Sequence, residues 1–224
     1  MAAILRGHPE LLKADFHVHT RYSKDCDTSL EEIINRCLKT EITCIAISDH
    51  GTIEGAREMQ SLAPFRVIVA EEILTPDGEV MGMFLKEGIP SGISIEEVIS
   101  RIREQDALVA IPHPFDPLRG IRLSNNRLSE LAGQIDIIEA FNARSPFIKP
   151  ARKARDFALK HDLPMTAGSD AHSAGEIGLT YVEMPEFNDK DGFLRALREG
   201  RIIRHRTSPL VHFRTTLVKI KKLF

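Results

Sequence analysis

The sequence predicts an α/β protein whose mainly parallel sheet closes, or nearly closes, into a barrel. Six short, continuously apolar runs read as strands buried on both faces: Ala14–Val18, Cys44–Ile47, Arg66–Ala70, Leu108–Ile111, Ile135–Ala140 and Met165–Ala167. Helical runs lie between them, and repeated β-then-α units make neighbouring strands parallel. An open doubly wound sheet would carry a glycine-rich first turn; none is present, and six or seven units favour a barrel.

The elements follow in order. Ser29–Leu–Glu–Glu32 is a capping box that opens a helix carrying Ile33, Ile34, Cys37 and Leu38. Pro76–Asp77–Gly78 is a turn between Glu72–Leu74 and Val80–Leu85, a hairpin that interrupts the alternation. Ser94–Ile–Glu–Glu97 is a second capping box, before Val98, Ile99 and Ile102. Further helices are expected from about residue 149 to 160 and from 191 to 198, the latter stopping at Gly200. The tail, Leu217–Phe224, carries Lys219, Lys221 and Lys222 and reads as a solvated or frayed helix end.

A length of 224 residues, 42% apolar and 28% charged, suits one soluble globular domain. Residues 13–210 would form the barrel, 1–12 an N-terminal extension and 211–224 a basic C-terminal segment. No run approaches the ~18 apolar residues of a membrane span. The N-terminus lacks a signal-peptide pattern, and a cytoplasmic location is expected. A net charge of −2 argues against long nucleic acid as a partner. Oligomeric state leaves no trace in the sequence. Cys26, Cys37 and Cys44 are odd in number and form no CxxC pair, which points to a reducing compartment rather than a disulfide or structural zinc framework. Cys37 and Cys44 read as small core residues, and Cys26 lacks the partners of a catalytic thiol.

Each of the six strands delivers His, Asp or Glu at its C-terminal end: His17 and His19, Asp49 and His50, Glu71 and Glu72, His113, Glu139, then Asp170 and His172. In parallel α/β barrels that end holds the active site. Alternation in His17-x-His19 turns both imidazoles to one side, as two ligands of one metal would require, and Asp170-x-His172 repeats the spacing. A lone strand-end histidine such as His113 is more often a hydrogen-bonded surface residue, whereas His-x-His has few structural uses. His8 and His161 read as solvated.

Asp15-x-His17-x-His19, Ser23-x-Asp25, Ser48–Asp49–His50, Glu72, Pro112–His113–Pro114 and Gly168–Ser169–Asp170-x-His172 stand in the order that resembles the PHP (polymerase and histidinol phosphatase) family, over about residues 13–210. The resemblance implies a distorted, TIM-like (β/α)7 barrel binding two or three divalent transition metals (Zn, Mn or Fe). One site would use His17, His19, Glu72 and Asp170; another Asp25, His50 and His172; a third would share Glu72 as a bridge and add His113. Many members supply a further His after the bridging Glu; here Glu79–Val–Met–Gly82 has none, and Glu139 is an alternative donor. The family pattern of Glu followed by Ile favours Glu72 over Glu71, and alternation lets only one of them reach the metals.

Two or three such metals would activate a water as hydroxide and clamp the phosphate oxygens. His50, Asp170 and His172 are the expected catalytic residues. Arg144 is the expected phosphate ligand, because arginine grips two oxygens at once; a surface Arg paired with a helix acid is the competing reading. Arg206, within Arg204–Ser208, resembles a C-terminal segment of small PHP proteins that could close over substrate or pack against the barrel bottom. The resulting expectation is a phosphoesterase acting on a small phosphorylated substrate: a nucleotide, histidinol phosphate or short oligonucleotide. A metal-dependent amidohydrolase and a non-catalytic metal-binding regulatory domain are the alternatives.

Overall fold

The computed structural model describes residues 11–117, 125–208 and 211–222. The expectations for residues 1–10, including His8, and for Pro209 and Leu210 lie outside them.

Seven strands make the barrel wall: β1 (Leu12–Val18), β2 (Cys44–Ile47), β3 (Arg66–Thr75), β4 (Gly78–Met83), β5 (Leu108–Ile111), β6 (Ile137–Asn142) and β7 (Met165–Gly168). All neighbouring pairs are parallel except those of β4, which runs antiparallel to both β3 and β5. This single reversed strand is the distortion expected from the hairpin. The turn is tight, Thr75 pairing directly with Gly78. β3 is one continuous strand where two segments were expected, and β6 starts two residues later than expected.

Two further strands were not foreseen. β8 (Tyr181–Met184) pairs antiparallel with the start of β1, and β9 (Arg201–Ile203) extends β8. Both are short and partly exposed, so they lack the continuously apolar signature of the buried strands. Higher up, the barrel closes directly: Val18 bridges Ala171 just beyond β7, and His19 N donates to Ala171 O at 3.0 Å. Gly168 permits this approach, since a Cβ there would stand 2.2 Å from His17 Cβ.

The helices are α1 (Leu30–Thr40), α2 (Glu54–Leu62), α3 (Ile95–Glu104), α4 (Asn125–Leu131), α5 (Ile148–Lys160), α6 (Lys190–Glu199) and α7 (Val211–Lys221). Both sequence caps form: Ser29 with Glu32 makes the reciprocal box, and Ser94 Oγ accepts from Glu97 N at 3.2 Å. α6 ends at Gly200, but in an extended rather than left-handed conformation; the glycine is needed for room, since a Cβ would meet Val182 Cγ1 at 2.7 Å. His161 packs on the Phe157 ring, 4.5 Å between centroids, and is not fully solvated.

Strand alternation sorts two cores. Ile45, Ile47, Val67, Val69, Val109 and Ile111 face the helices; Cys44, Ala46, Ile68, Ala70, Met81, Met83 and Ala110 fill the barrel. Phe16, Phe84, Phe187 and Phe193 plug its lower end in edge-on and tilted contacts. The same inward rows continue upward into the polar site.

Candidate metal centre

β1 delivers His17 and His19 from an irregular end, where its register with β2 shifts between Asp15 and Val18. Their Nε2 atoms lie 3.1 Å apart, both buried. Asp15 is structural: its Oδ1 accepts from Ser169 N and His17 N and ties β1 to β7, while burial pushes its carboxyl up to about 7. Asp49 is likewise a brace, its two oxygens accepting from Thr20 N and Thr20 Oγ1 at 2.6 Å.

Glu72 continues the inward row of Ile68 and Ala70 and stands at the centre. Its Oε2 is 3.2 Å from His17 Nε2, 3.3 Å from His19 Nε2 and 3.5 Å from His50 Nδ1; its Oε1 is 2.9 Å from His113 Nε2. Burial opposes ionisation, but these imidazoles hold the carboxyl well below its usual range. Glu71 faces the helices, where Ile89 N donates to its Oε2 at 2.8 Å and burial raises its carboxyl to about 7. Only Glu72 reaches the centre.

Asp170 completes the first cluster, its Oδ1 3.5 Å from His19 Nε2 and 3.8 Å from His17 Nε2. Burial works against protonation of His17, yet Glu72, Asp170 and Glu139 hold its pKa well above the ordinary value. His19 is raised to about 9 against the same burial by Asp170 and Glu72.

The second cluster gathers on Asp25 Oδ2, 3.4 Å from His50 Nε2 and 3.3 Å from His172 Nε2. The loop after β1 aims it: Ser23 Oγ donates to Asp25 Oδ1 at 2.8 Å and accepts from His50 N at 3.3 Å. Burial disfavours the Asp25 anion, but His172 and His50 outweigh it and its carboxyl falls far below the usual range. Cys26, next in sequence, is fully buried among carbonyls and its thiol is pushed up to about 11, so it is a packing residue.

His113 joins the centre, its Nε2 also 3.8 Å from Glu79 Oε2. Glu79 shares the inward row of β4 with Met81 and Met83, and its carboxylate stands with His50 and Glu72. Glu139 does not act as the substitute donor. Its Oε1 is 3.1 Å from His17 Nδ1, and its Oε2 accepts from His113 N at 2.7 Å and Asn142 Nδ2 at 3.1 Å. It braces the His17 ring from behind and holds the His113 backbone. Two of the converging residues adopt positive φ, 28° at His113 and 53° at Asp170.

The two expected anion-binding arginines are placed otherwise. Arg144 is buried, Nη2 donating to Thr215 Oγ1 at 2.7 Å and Nη1 to Asp170 O at 3.3 Å, with Nε 3.6 Å from Glu176 Oε2. Its guanidinium is committed to holding Asp170 and α7. Arg206 Nη2 donates to Phe147 O, and its guanidinium lies 5.8 Å from the Phe141 ring centroid. The segment's Thr207 N donates to Ala143 O, just past the C-terminal end of β6, so it packs beside the upper end of the barrel and not its bottom. The basic tail is not solvated throughout: Val218 is buried, and Lys219 Nζ comes within 3.3 Å of Asp25 Oδ2.

These residues fit divalent cations. Among the described residues, donor atoms converge in four overlapping groups, each within 4.8 Å: His19, Asp25, His50 and His172; His17, His113 and Asp170; His17, His19 and Glu72; and His50, Glu72 and Glu79. Facing imidazole nitrogens backed by buried carboxylates call for positive charge between them, and the mixed N/O set suits Zn, Mn or Fe. Sequence reasoning missed Glu79, whose parity in the hairpin could have revealed it, and Lys219, for which no local signal exists.

The PHP domain family matches residues 15–80, and the PHP-associated family matches residues 150–202. An uncharacterised protein of Methanocaldococcus jannaschii is 33% identical over 213 residues, covering 93% of this chain and 86% of that one. A two-domain protein from Bacteroides vulgatus containing a predicted PHP-like metal-dependent phosphoesterase superposes with a TM-score of 0.70 at 18% identity, over 91% of this chain and 70% of that one. An amidohydrolase from Chromobacterium violaceum superposes with a TM-score of 0.58 at 16% identity, over 73% and 88%. Likeness to these two structures is likeness of fold. Among the described residues, no helix is long and apolar enough to cross a membrane. With 86% of the archaeal relative covered at 33% identity, and with the PHP domain family matched over residues 15–80 and the PHP-associated family over residues 150–202, the chain belongs to the PHP family.

Proposed function

We propose that the chain is a single-domain, metal-dependent phosphoesterase that hydrolyses a small phosphate ester. The observation that carries this reading is Glu72, whose two oxygens face different imidazole sets, as a bridge between ions would. His17, His19, Glu72 and Asp170 form one site, Asp25, His50 and His172 a second, and His113 with Glu72 and Glu79 a third. Three free, buried cysteines support a reducing, cytoplasmic setting. The substrate is a nucleotide, histidinol phosphate or short oligonucleotide.

Bound there, divalent ions supply Lewis acidity toward phosphate oxygens and a lowered pKa for the attacking water. The chain's own residues orient and exchange protons. Glu139 holds His17 Nδ1, which turns Nε2 to the centre. Asn142 Nδ2 donates to Asp170 Oδ2 at 3.2 Å and so orients the carboxylate that takes the proton of the attacking water. His172 is held neutral, its pKa lowered to about 4 by burial and His19, so its Nε2 lone pair is available as a donor. His50, partly exposed, lines the mouth. Water adds at phosphorus, the ester P–O bond breaks, and the alcohol leaves with a proton from solvent.

The test is hydrolysis of p-nitrophenyl phosphate against p-nitroacetanilide by protein reconstituted with Mn(II) or Zn(II). Phosphate hydrolysis with at least two ions per chain is expected. Amide hydrolysis alone would make it an amidohydrolase, and stoichiometric metal without turnover a binding domain.

A further inference from the structure

Among the described side chains of α7 from Thr215 onward, Val218 is the one buried apolar residue, while Leu217 and Ile220 are exposed. The positions the helix turns toward the barrel, at i, i+3, i+4 and i+7, are Thr215, Val218, Lys219 and Lys222. Thr215 takes the Arg144 guanidinium. Lys222 Nζ donates to Arg21 O, Ser23 O and Cys26 O at 2.7–2.8 Å, so its three protons staple the helix to the loop that carries Asp25. Lys219 lies between these anchors.

Its ammonium reaches Asp25 Oδ2 at 3.3 Å, the same oxygen that faces His50 and His172. Yet the Lys219 side chain is 52% exposed, because it enters from the solvent side. A cavity of about 590 Å³ opens on that side; Lys24, His50, Lys219 and Lys222 line it together with one acid, Glu54, whose carboxylate lies 3.6 Å from Arg57. With Lys222 spent on carbonyls, Lys219 and Lys24 are the cations it offers beside the partly exposed His50.

We propose that α7 is a wall of the active site and that Lys219 binds the phosphate group of the substrate. The inference rests on the phosphoesterase reading. A cation held by Asp25, His50 and His172 would repel the ammonium from that carboxylate. The flexible lysine stem lets it swing into the adjoining cavity, where the non-bridging phosphate oxygens supply the missing negative charge. Arg144 then acts as a positioning residue: it fixes the helix from which the cation comes.

Calorimetric titration of Mn(II)-loaded protein with inorganic phosphate reads binding without turnover. Lys219→Ala should weaken phosphate about 10- to 100-fold, the loss of one charge-assisted bond. It should raise KM for p-nitrophenyl phosphate in parallel, with kcat changed far less and metal content unchanged. Lys219→Arg should recover most of the phosphate affinity, and Lys221→Ala, on the exposed side of the helix, should behave as wild type. Lys219→Gln, closer in shape, keeps the test open if the alanine variant does not fold. Equal phosphate affinity in wild type and Lys219→Gln overturns the inference, as does a loaded wild type that binds no phosphate. So does tighter metal binding by the variant with unchanged phosphate affinity, which would make Lys219 only a counter-ion to Asp25. Phosphate bound through Lys219 with no ester hydrolysed by the wild type overturns the hydrolase reading alone; ester hydrolysis with KM and phosphate affinity indifferent to Lys219 overturns this inference alone.

Discussion

The two faces of β3 carry adjacent glutamates, both buried, that ionise in opposite senses. On the barrel face Glu72 meets four imidazoles and stays charged. On the helix face Glu71 meets one backbone amide, and burial raises its carboxyl to about 7. Burial is common to both, so it does not decide the charge; the partners do. A carboxylate ringed by imidazoles is a place for cations, and one buried against a single backbone amide is a cost the fold carries.

The largest expected effect comes from removing the charge on the barrel face. Glu72→Gln should lose bound metal and lower kcat/KM by roughly 10²–10³-fold or more, since the bridging charge goes with it. Metal per chain and steady-state kinetics check both, and retention of full metal content would break the contrast between the two faces.

A step behind the centre, Glu139→Gln should weaken metal affinity about 10–100-fold, because His17 loses the partner that orients its ring. Competition with a chelator measures this. If Glu139 were itself a ligand, the stoichiometry would drop and not merely the affinity.

Glu79→Gln should be milder still. It lies 3.8 Å from His113 and on the more open side, so loss of about one weakly held ion with the other two retained is expected. Elemental analysis at limiting and excess Mn(II) separates that outcome from a loss of every ion.

On the helix face the effect is on stability and not chemistry. An acid whose folded pKa is raised binds its proton more tightly when folded. Its contribution is therefore favourable below the ordinary value of 4.5 and is lost as pH rises through about 7. The shift corresponds to roughly 3 kcal/mol. Glu71→Gln should leave metal content and kcat/KM near wild type while its melting temperature gains on wild type between pH 5 and pH 8. A pH-independent difference would mean that the neutral-to-charged cost of Glu71 is not what separates the faces.

Much of this was legible in the linear chain. Apolar runs ending in His, Asp or Glu located the strand ends that meet at the site; alternation allowed only one of Glu71 and Glu72 to reach it, and the resemblance to the family's Glu–Ile pattern favoured Glu72. What escaped was whatever depends on contacts between distant segments. β8 and β9 are half-exposed and lack a strand signature. Glu79 reaches the centre only because the hairpin register turns its row inward. Arg144 carried every local mark of a phosphate ligand, yet α7, 71 residues away at Thr215, claims its guanidinium.

The sequence by itself determined the period of each element, the end of the barrel where the ligands cluster, and which donor types they are, because side-chain direction along a strand follows from backbone geometry alone. The tertiary structure decided which donors share an ion, which carboxylates stay charged and which cations face the mouth. Those properties are sums over neighbours brought together by closing the barrel, and a residue's place in the chain does not specify its neighbours in space.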